Sequence, residues 1–314
     1  MFAVCLLLLT FPVAAAEQQR LEQVRLQLNW QHQFEFAGFY AAKAKGYYRD
    51  AGLDVEIVES RPGENPEQQV INGLAQYGVS DAKLLLEHNR GNPVVVLAVI
   101  FQHSPVVLLV PEDGARSVAE LRGKRVMMVK DNTELQAFFR KEGLQETDYV
   151  RVEPSYDAHD LLKGKVDAMQ AYASDEPDYL ARAGFAFREL RARDVGIDFY
   201  DLNLFTTQEQ IQRNPEQVRA FRQASLRGWQ YAMEHPDEIM DVLLKDYSQK
   251  HDREHLRYQY QQMVPLIQPV LIEMGYMNPE RWRRIAQTYN SFGMLPADFP
   301  WDSFLYDKIG RAHV

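Results

Sequence analysis

Cysteine is almost missing from this 314-residue sequence: the single one is Cys5, inside an apolar opening segment. Past that segment the chain can form no disulfide, offers no thiolate nucleophile and holds no cysteine-based metal site. No later stretch approaches the roughly 18 uncharged apolar residues that a membrane-crossing helix needs. Positive charge is not in excess: the formal net charge is −9, which argues against a nucleic-acid partner. Gly-rich phosphate loops, a Gly-x-Ser-x-Gly turn and a His-Glu-x-x-His pair are all absent. His159, His235, His251 and His313 show no metal-ligand spacing. No cofactor and no metal are therefore expected.

What is present reads as a globular chain, 46% hydrophobic and 25% charged. Its 16 Tyr, 16 Phe and 4 Trp suffice for a large core with rings left over for a pocket. The opening "MFAVCLLLLTFPVAAAEQQ" has an apolar run of signal-peptide length, although no basic residue precedes Cys5. Residues 1–16 are read as a signal peptide cleaved after Ala14-Ala15-Ala16, which implies a periplasmic or extracytoplasmic location. The closing "KIGRAHV" can be spelled by a common sequencing-adapter oligonucleotide. Residues 308–314 are expected to be artefact, with the natural gene continuing.

Between these ends the chain alternates strand and helix signals. Val24, Leu26 and Leu28 alternate, a helical pattern follows from Phe36 to Ala44, and Leu53, Val55 and Ile57 alternate again. This is a βαβ unit with a parallel strand pair. "YGVS", "PVVVLAVIF" and "SPVVLLVPE" read as further strands, the last two crossing from one lobe to another. A second α/β series runs through "KRVMMV", "YVRVEP", "VDAMQAY" and "AFREL", and "LNLFTT" returns to strand character. The remainder is nearly all helix. Asn-Pro-Glu recurs at 65, 214 and 278 as a helix-start device, with Asn capping and Pro setting φ. "SVAELRG" carries the Ser117/Glu120 spacing of a capping box. Two α/β lobes joined by two or more crossings suit a protein that closes about a hinge over a ligand.

In order and spacing, "LNWQHQFEFAGFYAAKAKGYYRDAGLDVEI", "YGVSD", "GNPVVVLA", "LRGKRV", "VDAMQAY", "NPEQVRAFRQASLRGWQYAMEHPDE" and "GMLPADF" resemble the NMT1/THI5-like, or SsuA-like, family. The resemblance spans about residues 24–307. It implies an α/β, type II periplasmic-binding-protein fold: two α/β lobes with an interlobe cleft. Lobe 1 would comprise about 24–107 plus 202–307, and lobe 2 about 108–201. Members bind aminopyrimidine thiamine precursors, alkanesulfonates or related small molecules. The partner implied is an ABC permease, or a fused signalling domain missing from this chain, since "SDEP" and "LFTT" look closest to sensor-module versions. A monomer is expected. The family also holds fungal thiamine pyrimidine synthases, which use iron, pyridoxal phosphate and a histidine of their own chain. Where those enzymes carry their Lys and His, this sequence has Ser80 and Leu84, and their Cys-rich motif is absent. A binding protein is expected rather than an enzyme.

Candidate ligand contacts cluster after strand ends, where open α/β sheets bind ligands. Asn29, Trp30 and His32 follow the first strand; Trp30 either stacks on a planar heterocycle or closes over the core. Phe36, Gly38 and Tyr40 sit at the next helix start, with Gly38 permitting close backbone approach and Phe36 and Tyr40, at i and i+4, reading equally as core or pocket. Glu64 and the pair Ser80-Asp81 precede helix starts, where they serve as caps, ligand contacts or both. Asn132 stands at a lobe-2 helix N-terminus suited to an anion, with Asp131 beside it opposing one. Tyr172, Asp175 and Glu176 end a lobe-2 strand, and Asp201 lies at the return to lobe 1. The carboxylates suit an amino-bearing or cationic ligand, or pair with Arg residues across the cleft, or merely cap the helix beginning near Pro177.

Overall fold

The structure is a computed structural model that describes residues 20–306, except Gln249 and Asp302. The expected signal peptide and the expected artefact both lie outside the described residues.

The first strand, Glu22–Gln27 (β1), is followed by helices Ala37–Ala44 (α1) and Tyr47–Asp50 (α2) and by strand Leu53–Val58 (β2). β1 and β2 pair in parallel with Val24 opposite Val55 and Leu26 opposite Ile57. These alternating residues are buried while Asp54 and Glu56 face solvent, so the period of two in the sequence is the pleat of a sheet with one buried face. Helix Pro66–Ile71 (α3), strand Tyr77–Ser80 (β3), helix Leu84–Asn89 (α4) and strand Val94–Phe101 (β4) follow. Every residue of β4 is buried, as its unbroken apolar run demands.

The chain then leaves for a second sheet. Its strands are Val106–Pro111 (β5), Arg125–Met127 (β6), Val150–Val152 (β7), Ala168–Tyr172 (β8) and Phe187–Leu190 (β9). Helices Thr133–Lys141 (α5), His159–Leu162 (α6) and Glu176–Arg182 (α7) connect them. Strand Asp201–Thr207 (β10) brings the chain back, and helices Gln208–Arg213 (α8), Pro215–Glu234 (α9), Pro236–Asp246 (α10), Arg253–Ile267 (α11) and Pro279–Ser291 (α12) complete it. The sheet orders are β2-β1-β3-β10-β4 and β7-β6-β8-β5-β9. In each, four strands run parallel and one antiparallel strand, which follows the crossing, lies between two of them: β10 between β3 and β4, β5 between β8 and β9. The crossings are residues 102–105 and 191–200.

Two local expectations need correction. "KRVMMV" pairs only as far as Met127, because the chain turns away there to form a wall of the cleft. Ser117 makes no side-chain cap; Glu120 instead accepts from the Arg116 N–H at 2.9 Å. Of the three Asn-Pro-Glu starts, Asn65 and Asn278 cap with their side chains, whereas Asn214 does not.

α1 and α9 meet through two glycines. A Cβ on Gly38 would lie 2.1 Å from Trp229 Cγ, and one on Gly228 would lie 2.2 Å from the Gly38 carbonyl oxygen. Trp229 is fully buried and meets Phe39 edge to face at 5.7 Å. The C-terminal helices also reach the second lobe. Tyr289 of α12 hydrogen bonds Thr133 at 2.7 Å, and α11 packs polar side chains against α7. A buried apolar cluster runs continuously from β4 through α12 to β5 and α5, so the lobes share part of their core.

Candidate functional site

A cavity of about 490 Å³ lies between the two sheets. Its lobe-1 wall is Asn29, Trp30 and Gln33 after β1, residues 60–61 and 63–67 after β2, and Asp81 and Lys83 after β3. Its lobe-2 wall is 127–132 from the end of β6, Glu153, Pro154 and Tyr156 after β7, and 169–172, Asp175 and Glu176 at the end of β8. Six of the parallel strands, β1 to β3 and β6 to β8, thus point their carboxyl ends at one space, the geometry by which open α/β sheets form sites. At 490 Å³ it has the size of a small-molecule pocket.

Across the cavity Trp30 of lobe 1 faces Tyr156 of lobe 2, with ring centroids 5.0 Å apart and planes tilted by 39°. Tyr156 is 47% exposed and has φ 59°, the left-handed region that a non-glycine residue occupies only under local strain. Below the rings the lining is acidic, with seven carboxylates (Glu64, Glu67, Asp81, Asp131, Glu153, Asp175 and Glu176) against three cations, Arg61, Lys83 and Lys130.

Lys83 holds the lobe-1 floor together. Its Nζ is 3.2 Å from Glu67, whose other donor is the Ser80 hydroxyl at 2.5 Å, and its own N–H donates to Asp81 at 2.6 Å. Burial pulls the ammonium pKa down, but Asp81, Glu67 and Asp131 together overcome it and leave Lys83 above its ordinary value. Burial raises Asp81, and the nearby ammonium only partly offsets that. Asp201, fully buried beneath Asp81, is pushed up to about 7 by burial and by Asp81. Glu176 is pushed to about 8 by burial and by Asp175, though its Oε2 accepts from the Tyr172 N–H at 2.8 Å. Glu35, behind Gln33, is raised by burial and by Asp201; among the described residues one of its oxygens has no hydrogen-bond partner, and neither has Asn29 Oδ1.

These raised carboxyls carry a pH signature. Glu176 and Asp201 hold their protons more tightly folded than unfolded, so their stabilising contribution is complete below about pH 4. It is lost as the pH rises through about 7 to 8. Denaturation midpoints should therefore fall between pH 5 and pH 8.5, and Glu176→Gln should flatten that fall. A midpoint that rises over this interval would contradict the assignment.

Of the residues singled out from sequence, Asn29, Trp30, Glu64, Asp81, Asn132, Tyr172, Asp175 and Glu176 line the cavity. The others do not. Phe36 and Tyr40 are fully buried in the lobe-1 core, and Gly38 admits Trp229 rather than a ligand. His32 bonds the Tyr40 hydroxyl at 2.9 Å and packs on Tyr247. Ser80 and Asp201 are fully buried under the floor. The caps also differ: Asn132 accepts from the Leu135 N–H at 2.9 Å, while Asp175 makes no side-chain cap on α7. Gln33, Lys83 and Tyr156 complete the walls without having been singled out. Lys83 had a signal in its place two residues after Asp81; Tyr156 had none.

A two-lobed α/β fold with a lined interlobe cavity defines the class of periplasmic binding proteins. The NMT1/THI5 like family model matches residues 33–239, and the chain belongs to that family. It is 29% identical over 296 residues to the riboflavin-binding protein RibY of Chloroflexus aurantiacus, covering 89% of this chain and 84% of that protein. The formylaminopyrimidine-binding protein of Halalkalibacterium halodurans is 26% identical, over 73% of this chain and 72% of that one. A 4-amino-5-hydroxymethyl-2-methylpyrimidine phosphate synthase of Saccharomyces cerevisiae, THI13, is 23% identical over 88% and 85%. Among solved structures, the periplasmic aliphatic sulphonate binding protein SsuA of Escherichia coli superposes with a TM-score of 0.60 at 17% identity, covering 88% of this chain and 90% of that chain.

Proposed function

We propose that this chain is an extracytoplasmic receptor for a small planar, amino-bearing solute of thiamine-pyrimidine-precursor type. It would deliver that solute to an ABC permease or serve as the sensor part of a signalling protein. The observation that carries the reading is the pairing of Trp30 and Tyr156 above a carboxylate-rich floor. A planar ring held between two aromatic faces needs them about 7 Å apart, two contacts of about 3.5 Å. A small opening of the lobes from the present 5.0 Å would supply it. The floor then offers acceptors, Asn29 Oδ1 among them, to amino groups. RibY and the formylaminopyrimidine-binding protein carry the names of planar nitrogen heterocycles, which suits the same geometry. The acidic lining disfavours an alkanesulfonate.

A calorimetric and thermal-shift screen with aminopyrimidines, riboflavin, polyamines and alkanesulfonates tests this. Amino-bearing heterocycles should bind and alkanesulfonates should not. Trp30→Ala should weaken the best ligand at least tenfold, the equivalent of about 1.4 kcal/mol, within the range for losing an aromatic face. An unchanged affinity would remove Trp30 from the site. The second reading, pyrimidine synthesis, is disfavoured by Ser80 and Leu84 standing where the synthases carry Lys and His. Incubation with iron and pyridoxal phosphate should leave every histidine at its original mass.

A further inference from the structure

His255 lies on lobe-1 helix α11, yet both its ring nitrogens contact carboxylates of lobe 2. Nδ1 is 2.7 Å from Asp178 Oδ2 and Nε2 is 2.8 Å from Asp175 Oδ1, both on or beside α7. The residue is 1% exposed. Carboxylate oxygens only accept, so two such contacts at hydrogen-bond distance require an N–H on each ring nitrogen. The geometry is that of an imidazolium shared between two carboxylates across a lobe boundary. Asp175 also lines the cavity, so one side chain belongs to both the cleft wall and this contact.

We propose that His255 is a protonated clasp between the lobes, whose ionisation sets lobe closure and fixes the orientation of the cavity carboxylate Asp175. The inference deepens the reading of the cleft as a ligand site and rests on it only for the role of Asp175.

The two carboxylates favour the charged form; Gln259 Nε2, a donor only, and the stacked His251 do not. Asp175 and Asp178 face the ring from α7, and Tyr179 stacks on it at 4.5 Å with its hydroxyl 3.2 Å from Nε2. From its own side come His251, stacked at 4.9 Å, and Asp252, whose Oδ1 caps α11 by accepting from the His255 backbone N–H at 2.7 Å. Gln259 Nε2 lies 3.2 Å from the ring and 3.5 Å from Asp175. Arg182 binds Asp178 at 2.9 Å and Asp252 at 2.8 Å, continuing the ion pairing from lobe 2 to lobe 1. Burial alone would lower the ring's pKa, but the two carboxylates outweigh it and raise it. His251, without such a pair, is lowered by burial and stays neutral more readily.

Because the folded pKa is raised, the clasp is complete below about pH 6.5 and loosens as the pH climbs through the folded value. Loss of the proton leaves one carboxylate facing a ring lone pair, which removes this contact between the lobes and lets the cleft side open about the shared core of β4, α12 and α5. A cationic ligand reaching Asp175 from the cavity would compete for the same carboxylate, so binding and clasp ionisation are coupled.

Two ligand-free measurements on the full chain decide this. Nitrogen-15 NMR of the histidine rings should show His255 protonated at both nitrogens at pH 6 and titrating above pH 6.5, with Asp178→Asn lowering that value. Small-angle X-ray scattering should show the radius of gyration rising over the same pH interval in the wild type. In His255→Gln it should be enlarged at pH 6 and insensitive to pH. A neutral ring at pH 6, or the wild-type pH response persisting in His255→Gln, would overturn the proposal; should that variant fail to fold, the Asp178→Asn titration decides. Neither readout uses a ligand, so failure here leaves the cleft reading intact. Absence of any ligand in the screen would sink the cleft reading and leave the clasp standing.

Discussion

Replacing Lys83 with methionine is expected to cost about 3–5 kcal/mol of folding stability, the range for removing one partner of a buried ion pair. The side chain of Glu67 is only 2% exposed, and Lys83 is its cationic partner. Asp81 and Asp131 act on the same ammonium. Methionine fills the space and supplies no charge, so the carboxylates must take up protons or repel one another. The loss should appear as a fall in melting temperature of about 10 °C. It should shrink at low pH, where protonation relieves the repulsion. Adding Glu67→Gln to Lys83→Met should recover part of it, and the double-mutant cycle measures the coupling. A Lys83→Met cost below about 1 kcal/mol would show that water, not Lys83, solvates this floor.

The second large effect is steric. Gly228→Val should prevent accumulation of folded protein, and Gly228→Ala should cost about 3 kcal/mol or more, at the upper end for overpacking. The added Cβ would meet the Gly38 carbonyl oxygen at 2.2 Å and the Ala42 backbone nitrogen at 2.7 Å. Backbone cannot rotate aside as a side-chain tip can, so α1 and α9 must separate. Gly38→Ala meets the ring of Trp229 instead, and Trp229→Leu in that background should restore part of the stability. Chemical denaturation followed by circular dichroism measures both. A Gly228→Ala variant as stable as the wild type would mean that the helices do not touch as described.

Much of this architecture was legible locally. Alternation at Val24-Leu26 and Leu53-Val55-Ile57 marked β1 and β2, and the unbroken apolar run at 94–101 marked a strand buried on both faces. Asn65, Asn132 and Asn278 cap helices as their neighbours suggested. The rule that ligands gather at carboxyl ends of parallel strands carried the reading to Asn29, Trp30, Asp81, Tyr172 and Glu176 at the cavity. It failed where a distant element decides orientation. Phe36, Gly38 and Tyr40 follow a strand end as Trp30 does, but α9 and α10 cover them, and nothing near them in sequence reveals that. Asp201 reads as a loop edge because it is polar, yet it is fully buried at the start of a central strand and tolerates this with a raised pKa. His255 carries no local signal, because its partners lie 77 and 80 residues upstream, beyond any helical or strand period.

The order in which the lobes are written along the chain has a consequence for biosynthesis. Strand β10 sits between β3 and β4, yet it begins at Asp201, after the whole of the second sheet. A growing polypeptide therefore exposes two unpaired strand edges in its first half until some 200 residues have emerged, whereas β5 to β9 form an uninterrupted stretch. The inserted lobe can fold while the ribosome is still working; the lobe that starts first must finish last. Whatever shields β3 and β4 in that interval, a chaperone or slow collapse, sets how much of the product matures.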